Sequence, residues 1–81
     1  MIFKKVRAIL CDQFAADEDE ISLSTDLYKD LYADELDMVD VIVSVEKEFD
    51  ISIPDSEVKK MKTVGDLVSY VKAHRKWRLF R

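Results

Sequence analysis

The sequence predicts an all-α fold: a bundle of three longer helices and one short third helix, with a long first loop. Three observations lead there. Glycine and proline occur once each in 81 residues, too few for a turn-rich β architecture. Apolar residues recur at helical spacing in three separate stretches. Two of those stretches open on Asp or Thr with an Asp three residues later, the spacing of a capping box. At this length the chain is read as one domain, residues 1–81, with the bundle in 1–73 and a tail in 74–81.

The first helix is expected over Met1–Ala15, where Phe3, Val6, Leu10 and Phe14 make a stripe that Ile2 and Ile9 widen. Asp17-Glu18-Asp19-Glu20 breaks the pattern. It lacks the alternating ligands and glycine of a calcium loop, so it reads as a solvated acidic loop. Ile21, Leu23, Leu27 and Leu31 are spread along a long connection, expected to lie across the core and be pinned by those side chains. Within it, Ser24-Thr25-Asp26-Leu27 offers capping residues for a short helical turn.

The second helix is expected over about Glu35 to Phe49, with Asp34 as N-cap and Asp37 as its capping-box partner. Its apolar residues fall in two lines. Leu36, Val39 and Val43 form one; Val41, Ile42, Val45 and Phe49 form the other. Together they cover more of the circumference than a surface helix requires. Neighbours gripping the helix on several sides would account for this, and so would a first line left partly exposed as a docking surface rimmed by Asp34, Asp37, Asp40 and Glu46; the two readings can hold together. Ile51 and Ile53 then alternate with polar residues, and Pro54 keeps Ile53 extended. Asp55 or Ser56 is expected to cap a short third helix through Met61, with Val58 and Met61 facing inward. Thr63 and Asp66 open the last helix, which buries Leu67, Val68, Tyr70 and Val71 and runs at least to Ala73.

The bulk properties narrow the function. No apolar run approaches the roughly 20 residues of a membrane span, and the N-terminus lacks a signal core, so a cytoplasmic protein is expected. Cys11 is the single cysteine; it lies in an apolar pattern and reads as a packed residue rather than a reactive thiol. His74, the single histidine, has no metal-ligand spacing around it. Asp34, Asp37 and Asp40 share one side of a helix, but capping and solvation account for them, and no metal site is expected. Residues 1–73 hold 9 Lys/Arg against 17 Asp/Glu, whereas residues 74–81 hold 4 Lys/Arg and no acid. An acidic body of this kind repels nucleic acid and favours basic protein partners. In the tail, basic residues interleave with Trp77, Leu79 and Phe80. It is expected to extend the last helix, fold onto the bundle, or neutralise acidic charge on its own body or a neighbour's.

Asp30-Leu31-Tyr32-Ala33-Asp34-Glu35-Leu36-Asp37 resembles the attachment motif of acyl carrier proteins, Asp-Leu-Gly-x-Asp-Ser-Leu-Asp/Glu. Asp30, Leu31, Asp34, Leu36 and Asp37 match it; Tyr32 stands at the glycine and Glu35 at the serine. The run Phe49-Asp50-Ile51-Ser52-Ile53-Pro54-Asp55, a short third helix and the Thr63-Val64 start of the fourth carry the resemblance across roughly residues 3–73. It implies an acyl-carrier-like four-helix bundle that performs no catalysis and serves fatty acid, polyketide or related carrier-dependent biosynthesis. It also implies 4′-phosphopantetheine on the serine hydroxyl, acyl chains as cargo, and partner enzymes with basic docking patches.

Glu35 is then the position equivalent to the phosphopantetheine serine and is not competent for attachment. A carboxylate there imitates the phosphate's charge, worth about 0.3–1 kcal/mol to the helix, but not the covalent linkage. Ser44 lies inside the second helix, and Ser22, Ser24, Ser52, Ser56 and Ser69 lack the motif. Carried over by position, the partner contacts are Asp34, Leu36, Asp37, Val39, Asp40, Val43 and Glu46, with Lys47 replacing the family's usual acid. No nucleic acid and no membrane span are expected. A monomer is expected, with a tail-mediated dimer as the alternative. Two other functions stay open: a non-carrier interaction or regulatory module on the carrier fold, and a non-covalent lipid binder.

Overall fold

Val6 and Leu10, one turn apart, are both fully buried and fix which face of the first helix the rest of the bundle covers. In the computed structural model, which describes residues 2–75, that helix, α1, spans Ile2–Phe14. The expectations for residues 76–81, Trp77 and Phe80 among them, lie outside the described residues. The helix stops one residue short of the expected end because Ala15 turns into the left-handed region at φ 52°. The Ala16 N–H then closes back on the Cys11 carbonyl at 3.1 Å, a left-handed C-terminal cap. Cys11 is half-buried, and that burial, followed by the charge of Glu18, pushes its thiol pKa upward.

The acidic run is more ordered than expected. Glu18–Glu20 forms one 3₁₀ turn, with the Asp17 N–H donating to Glu20 Oε1 at 2.7 Å. From Ile21 to Ala33 the chain forms no helix, yet its backbone is firmly anchored. The Leu27 N–H donates to the Lys62 carbonyl at 2.8 Å, the Val64 N–H to the Thr25 carbonyl at 2.9 Å, and the Gly65 N–H to the Leu23 carbonyl at 2.8 Å. Asp26 and Thr63 thus form an isolated antiparallel bridge. The buried Thr25 hydroxyl accepts the Ser22 N–H at 2.8 Å. The expected short helical turn forms as a single turn: the Asp30 N–H donates to the Asp26 carbonyl at 3.0 Å, the Asp26 side chain caps it by accepting the N–H groups of Tyr28 and Lys29, and Asp30 accepts that of Asp26. Ile21 and Leu27 are buried, as their apolar character suggests. Leu23 is not, at 51% exposure, because its carbonyl rather than its side chain makes the anchor.

Helix α2 spans Glu35–Phe49 and ends at Asp50 in the left-handed region. It packs antiparallel to α1. Lys5 meets Glu48 at 3.2 Å at one end, while Gln13 reaches Asp37 and Asp40 at the other. Helix α3 is a single turn, Asp55–Val58, with Pro54 rather than Asp55 or Ser56 at the N-cap. It stops before Met61 because the next N–H groups, of Lys60 and Met61, bond three residues back and tighten the chain. Helix α4, Val64–His74, opens on Thr63, whose hydroxyl accepts the Asp66 N–H at 3.1 Å. Among the described residues there is no β-strand beyond the bridge.

Every element feeds one core. Val6 and Leu10 of α1, Met38, Val41, Ile42 and Val45 of α2, and Val64, Leu67 and Val71 of α4 are buried with Ile21, Leu27, Ile53 and Met61. Phe49, Val58, Val68 and Tyr70 seal the edge, half-buried.

Gly65 sits in the first turn of α4, where alanine would ordinarily favour the helix by about 1 kcal/mol. A Cβ there would lie 2.9 Å from the Leu23 carbonyl oxygen. Gly65→Ala is therefore expected to lower the thermal midpoint in a calorimetric scan, against helix propensity; a higher midpoint would contradict the close junction. The N–H groups of Lys62 and then Thr63 hold the Asp66 carboxyl below its ordinary pKa, and those of Lys29 and Tyr28 do the same for Asp26. A depressed folded-state pKa stabilises at neutral pH and is lost as protons return. The midpoint should therefore decline as pH falls from about 5 to 2, screened in size because Asp66 is exposed and Asp26 partly so. Asp66→Asn should lower the midpoint at pH 7 and make that decline shallower.

Candidate functional site

The opening turn of α2 is held by two carboxylates acting on each other's backbone. Asp34, extended at φ −104° and ψ −175°, accepts the Asp37 N–H at 2.8 Å. Asp37 returns the contact, accepting the Asp34 N–H at 3.2 Å. Two of the four donors that a helix start leaves orphaned are thereby satisfied. Glu35 is the first helical residue and is exposed. Its charge stands at the positive end of the helix dipole. Just before the cap, Tyr32 is left-handed at φ 58° with its ring 81% exposed. That is a conformation which glycine adopts freely and tyrosine does not.

The two apolar lines of α2 have separate fates. Met38, Val41, Ile42 and Val45 face the core, and Met38 was not evident as core from the pattern of two lines. Leu36, Val39 and Val43 face outward at 76%, 57% and 42% exposure. They follow one another at successive helical turns and form a continuous apolar ridge. The first line is thus left exposed among the described residues.

The acids are distributed unevenly about this ridge. Asp34, Glu35 and Asp40 are exposed beside it, and Asp37 is half-buried by its cap and by Gln13. The Gln13 amide lies 3.5 Å from Asp37 and 3.4 Å from Asp40, a link between residues too distant in the chain for any local pattern to reveal. Glu46 is differently engaged: its Oε2 accepts the Ile53 N–H at 2.7 Å and anchors the segment after α2. Asp30, the first residue of the motif, closes the Asp26 turn. Among the described residues no group of three His, Cys, Asp or Glu side chains could hold a metal ion. No helix among them is long and apolar enough to cross a membrane.

A profile for the family described as phosphopantetheine attachment site matches residues 4–71. The acyl carrier protein of Clostridium acetobutylicum is 47% identical over 74 residues, covering 91% of this chain and 96% of that protein. The acyl carrier protein of Lactobacillus acidophilus is 46% identical over the same length, covering 92% of its own chain. The chain belongs to the acyl carrier protein family. Acyl carrier proteins are carriers and not enzymes, they act with biosynthetic enzymes, and the family's prosthetic group is 4′-phosphopantetheine. The helical layout found above is that of the family.

For this family member the cap at Asp34 is the element that sets the start of α2. Asp34→Ala should cost about 1 kcal/mol in urea unfolding, and Asp34→Asn much less. Equal stability of Asp34→Ala and the parent would show that the reciprocal cap does not hold the turn.

Proposed function

We propose that this chain serves carrier-dependent biosynthesis, of fatty acids, polyketides or a related class, as a cytoplasmic docking protein that carries no arm. The observation that supports this is the exposed ridge of Leu36, Val39 and Val43, built on a helix whose opposite face is fully committed to the core. Apolar side chains in a contiguous line with acids at the rim suit a partner with an apolar contact inside a basic patch. The contact set is Asp34, Leu36, Asp37, Val39, Asp40 and Val43, with Glu46 contributing its remaining carboxylate oxygen.

The opening turn does not suit attachment of 4′-phosphopantetheine. A phosphodiester link needs a hydroxyl oxygen, and residues 34, 35 and 37 supply only carboxylates. No step of arm loading or acyl transfer is therefore assigned to these residues. Glu35 instead places a carboxylate at the helix start, where the family's phosphate would otherwise sit. The filled core, with Val6, Leu10, Val41, Val45 and Leu67 at zero exposure, lends no support to non-covalent lipid storage. The hollows between α3 and α4 and beside Phe14 lie open to solvent.

Restoring the hydroxyl tests this reading. Glu35→Ser, incubated with coenzyme A and a phosphopantetheinyl transferase, should gain the mass of one arm. In that background Asp40→Lys should slow loading several-fold at low salt, with the gap narrowing as salt screens the charge. Refusal of the arm by Glu35→Ser, even combined with Tyr32→Gly, would favour a non-carrier module on this fold. An unchanged rate for Asp40→Lys would remove this face from the docking surface.

A further inference from the structure

The α2 ridge lies uncovered among the described residues, and the same chain holds a segment of matching chemistry. Arg75, Lys76, Arg78 and Arg81 alternate with Trp77, Leu79 and Phe80, so cations and apolar side chains are interleaved over a few residues. The ridge shows the complementary arrangement, with Leu36, Val39 and Val43 beside the carboxylates of Glu35 and Asp40. The profile match ends at residue 71, so the basic segment is an addition to what the family profile covers.

Reach decides whose ridge the segment can cover. Helix α1 is antiparallel to α2, with Lys5 beside Glu48 and Gln13 beside Asp37. Helix α4 starts at the loop that leads into α2, through the Leu23–Gly65 and Leu27–Lys62 bonds. It approaches its end beside the far end of α2, where the Tyr70 hydroxyl donates to the Ser52 carbonyl at 3.4 Å. The tail therefore departs from the C-terminal end of α2, whereas Leu36 is at the N-terminal end. From Leu36 to Phe49 a helix rises about 20 Å, and passing round to the outward face adds a helix width of about 10 Å. The five steps from Arg75 to Phe80 span at most about 18 Å when fully extended. On its own chain Phe80 can approach Val43, about 9 Å along the helix from Phe49, but falls short of Leu36, so the chain's own tail does not cover the whole ridge.

We propose that the basic aromatic segment 75–81 docks on the acid-rimmed α2 ridge of a second copy of this chain, reciprocally, giving a weak, salt-sensitive dimer that hides the docking face. The occupant is the tail of the second copy, chosen by charge, by apolar content and by a reach that on the same chain stops short of the Leu36 end of the ridge. Each copy offers one ridge and one tail, so a two-fold arrangement closes and does not propagate. The dimer and an enzyme partner compete for the same side chains, so self-association lowers the concentration of free docking surface. This inference rests on the α2 ridge being a docking face, and it adds what occupies that face when no enzyme does.

Sedimentation of the full chain across a concentration series tests it, with Trp77, the single tryptophan, as a built-in fluorescence reporter. The expected result is a monomer–dimer equilibrium at low salt that shifts at least tenfold toward monomer at high salt, with Trp77 emission moving to the blue as dimer forms. Deleting Lys76–Arg81 should abolish the dimer, and so should Val39→Asp, an exposed position where folding is not at stake. Mixing those two variants should restore association, because one intact tail then meets one intact ridge. A monomer at all concentrations overturns the proposal, as does a dimer that survives Val39→Asp. A blue-shifted Trp77 in a monomer would mean that the tail folds on its own bundle, and a shift seen only with anionic phosphatidylglycerol vesicles would make the segment a membrane contact. Either result also overturns the second copy as occupant. Slower arm loading of Glu35→Ser when Val39→Asp is added reports on the ridge as an enzyme contact whatever the sedimentation shows, so the two readings can fail separately.

Discussion

The bridge between residues 23–27 and 62–65 is the constraint on which the rest depends. A loop as long as the one from Ala15 to Asp34 has no helix of its own to hold it, beyond the 3₁₀ turn at Glu18–Glu20. Three backbone hydrogen bonds, from Leu27, Val64 and Gly65, tie its middle to the α3–α4 junction. They place Leu27 at the centre of the core, and the Leu27 carbonyl then accepts the Ala33 N–H at 3.0 Å. Asp34 follows directly, so the start of α2 is delivered by a contact made at the opposite end of the sequence. Gly65 is required there because the Leu23 carbonyl occupies the space of a side chain.

Once its start is set, α2 divides its circumference between two tasks. One side supplies four buried residues to the core; the other leaves Leu36, Val39 and Val43 in solvent. Isolated exposed apolar residues carry no message, since every protein surface contains them. Three at successive turns, with acids beside them, form a contiguous exposed patch, the feature on which the docking proposal rests. The reciprocal Asp34–Asp37 cap keeps this patch on a rigid element, so little ordering remains to be done on binding. Glu35 contributes charge at the helix start without entering the cap itself.

Local signals were legible wherever the physics is local. The capping pairs Asp34–Asp37 and Thr63–Asp66 stand three residues apart and form as spaced. The helical periods of α1, α2 and α4 mark their extents to within a residue or so. What escaped depends on contacts across the chain or on backbone geometry. The third helix was expected to start on an Asp or Ser cap and reach Met61, but Pro54 begins it and three-residue bonds end it at Val58. Leu23 reads as a core residue by hydropathy, yet its carbonyl does the anchoring and its side chain faces water. Glu46 reads as a rim acid, yet it is turned to the Ile53 amide. Whether the Leu36 line faced a neighbour or solvent could not be read from periodicity, because both arrangements produce the same two-lined helix. Gln13, which touches Asp37 and Asp40 from α1, leaves no trace in any sequence pattern.

A carboxylate at the first residue of α2 is proposed to keep the carrier fold and its ridge while ruling out the covalent arm. The intact mass of the unaltered chain, after exhaustive incubation with coenzyme A and a phosphopantetheinyl transferase of broad tolerance, tests it most directly. The expected mass is that of the bare polypeptide. An added phosphopantetheine, localised by fragmentation to any residue of this chain, would contradict it.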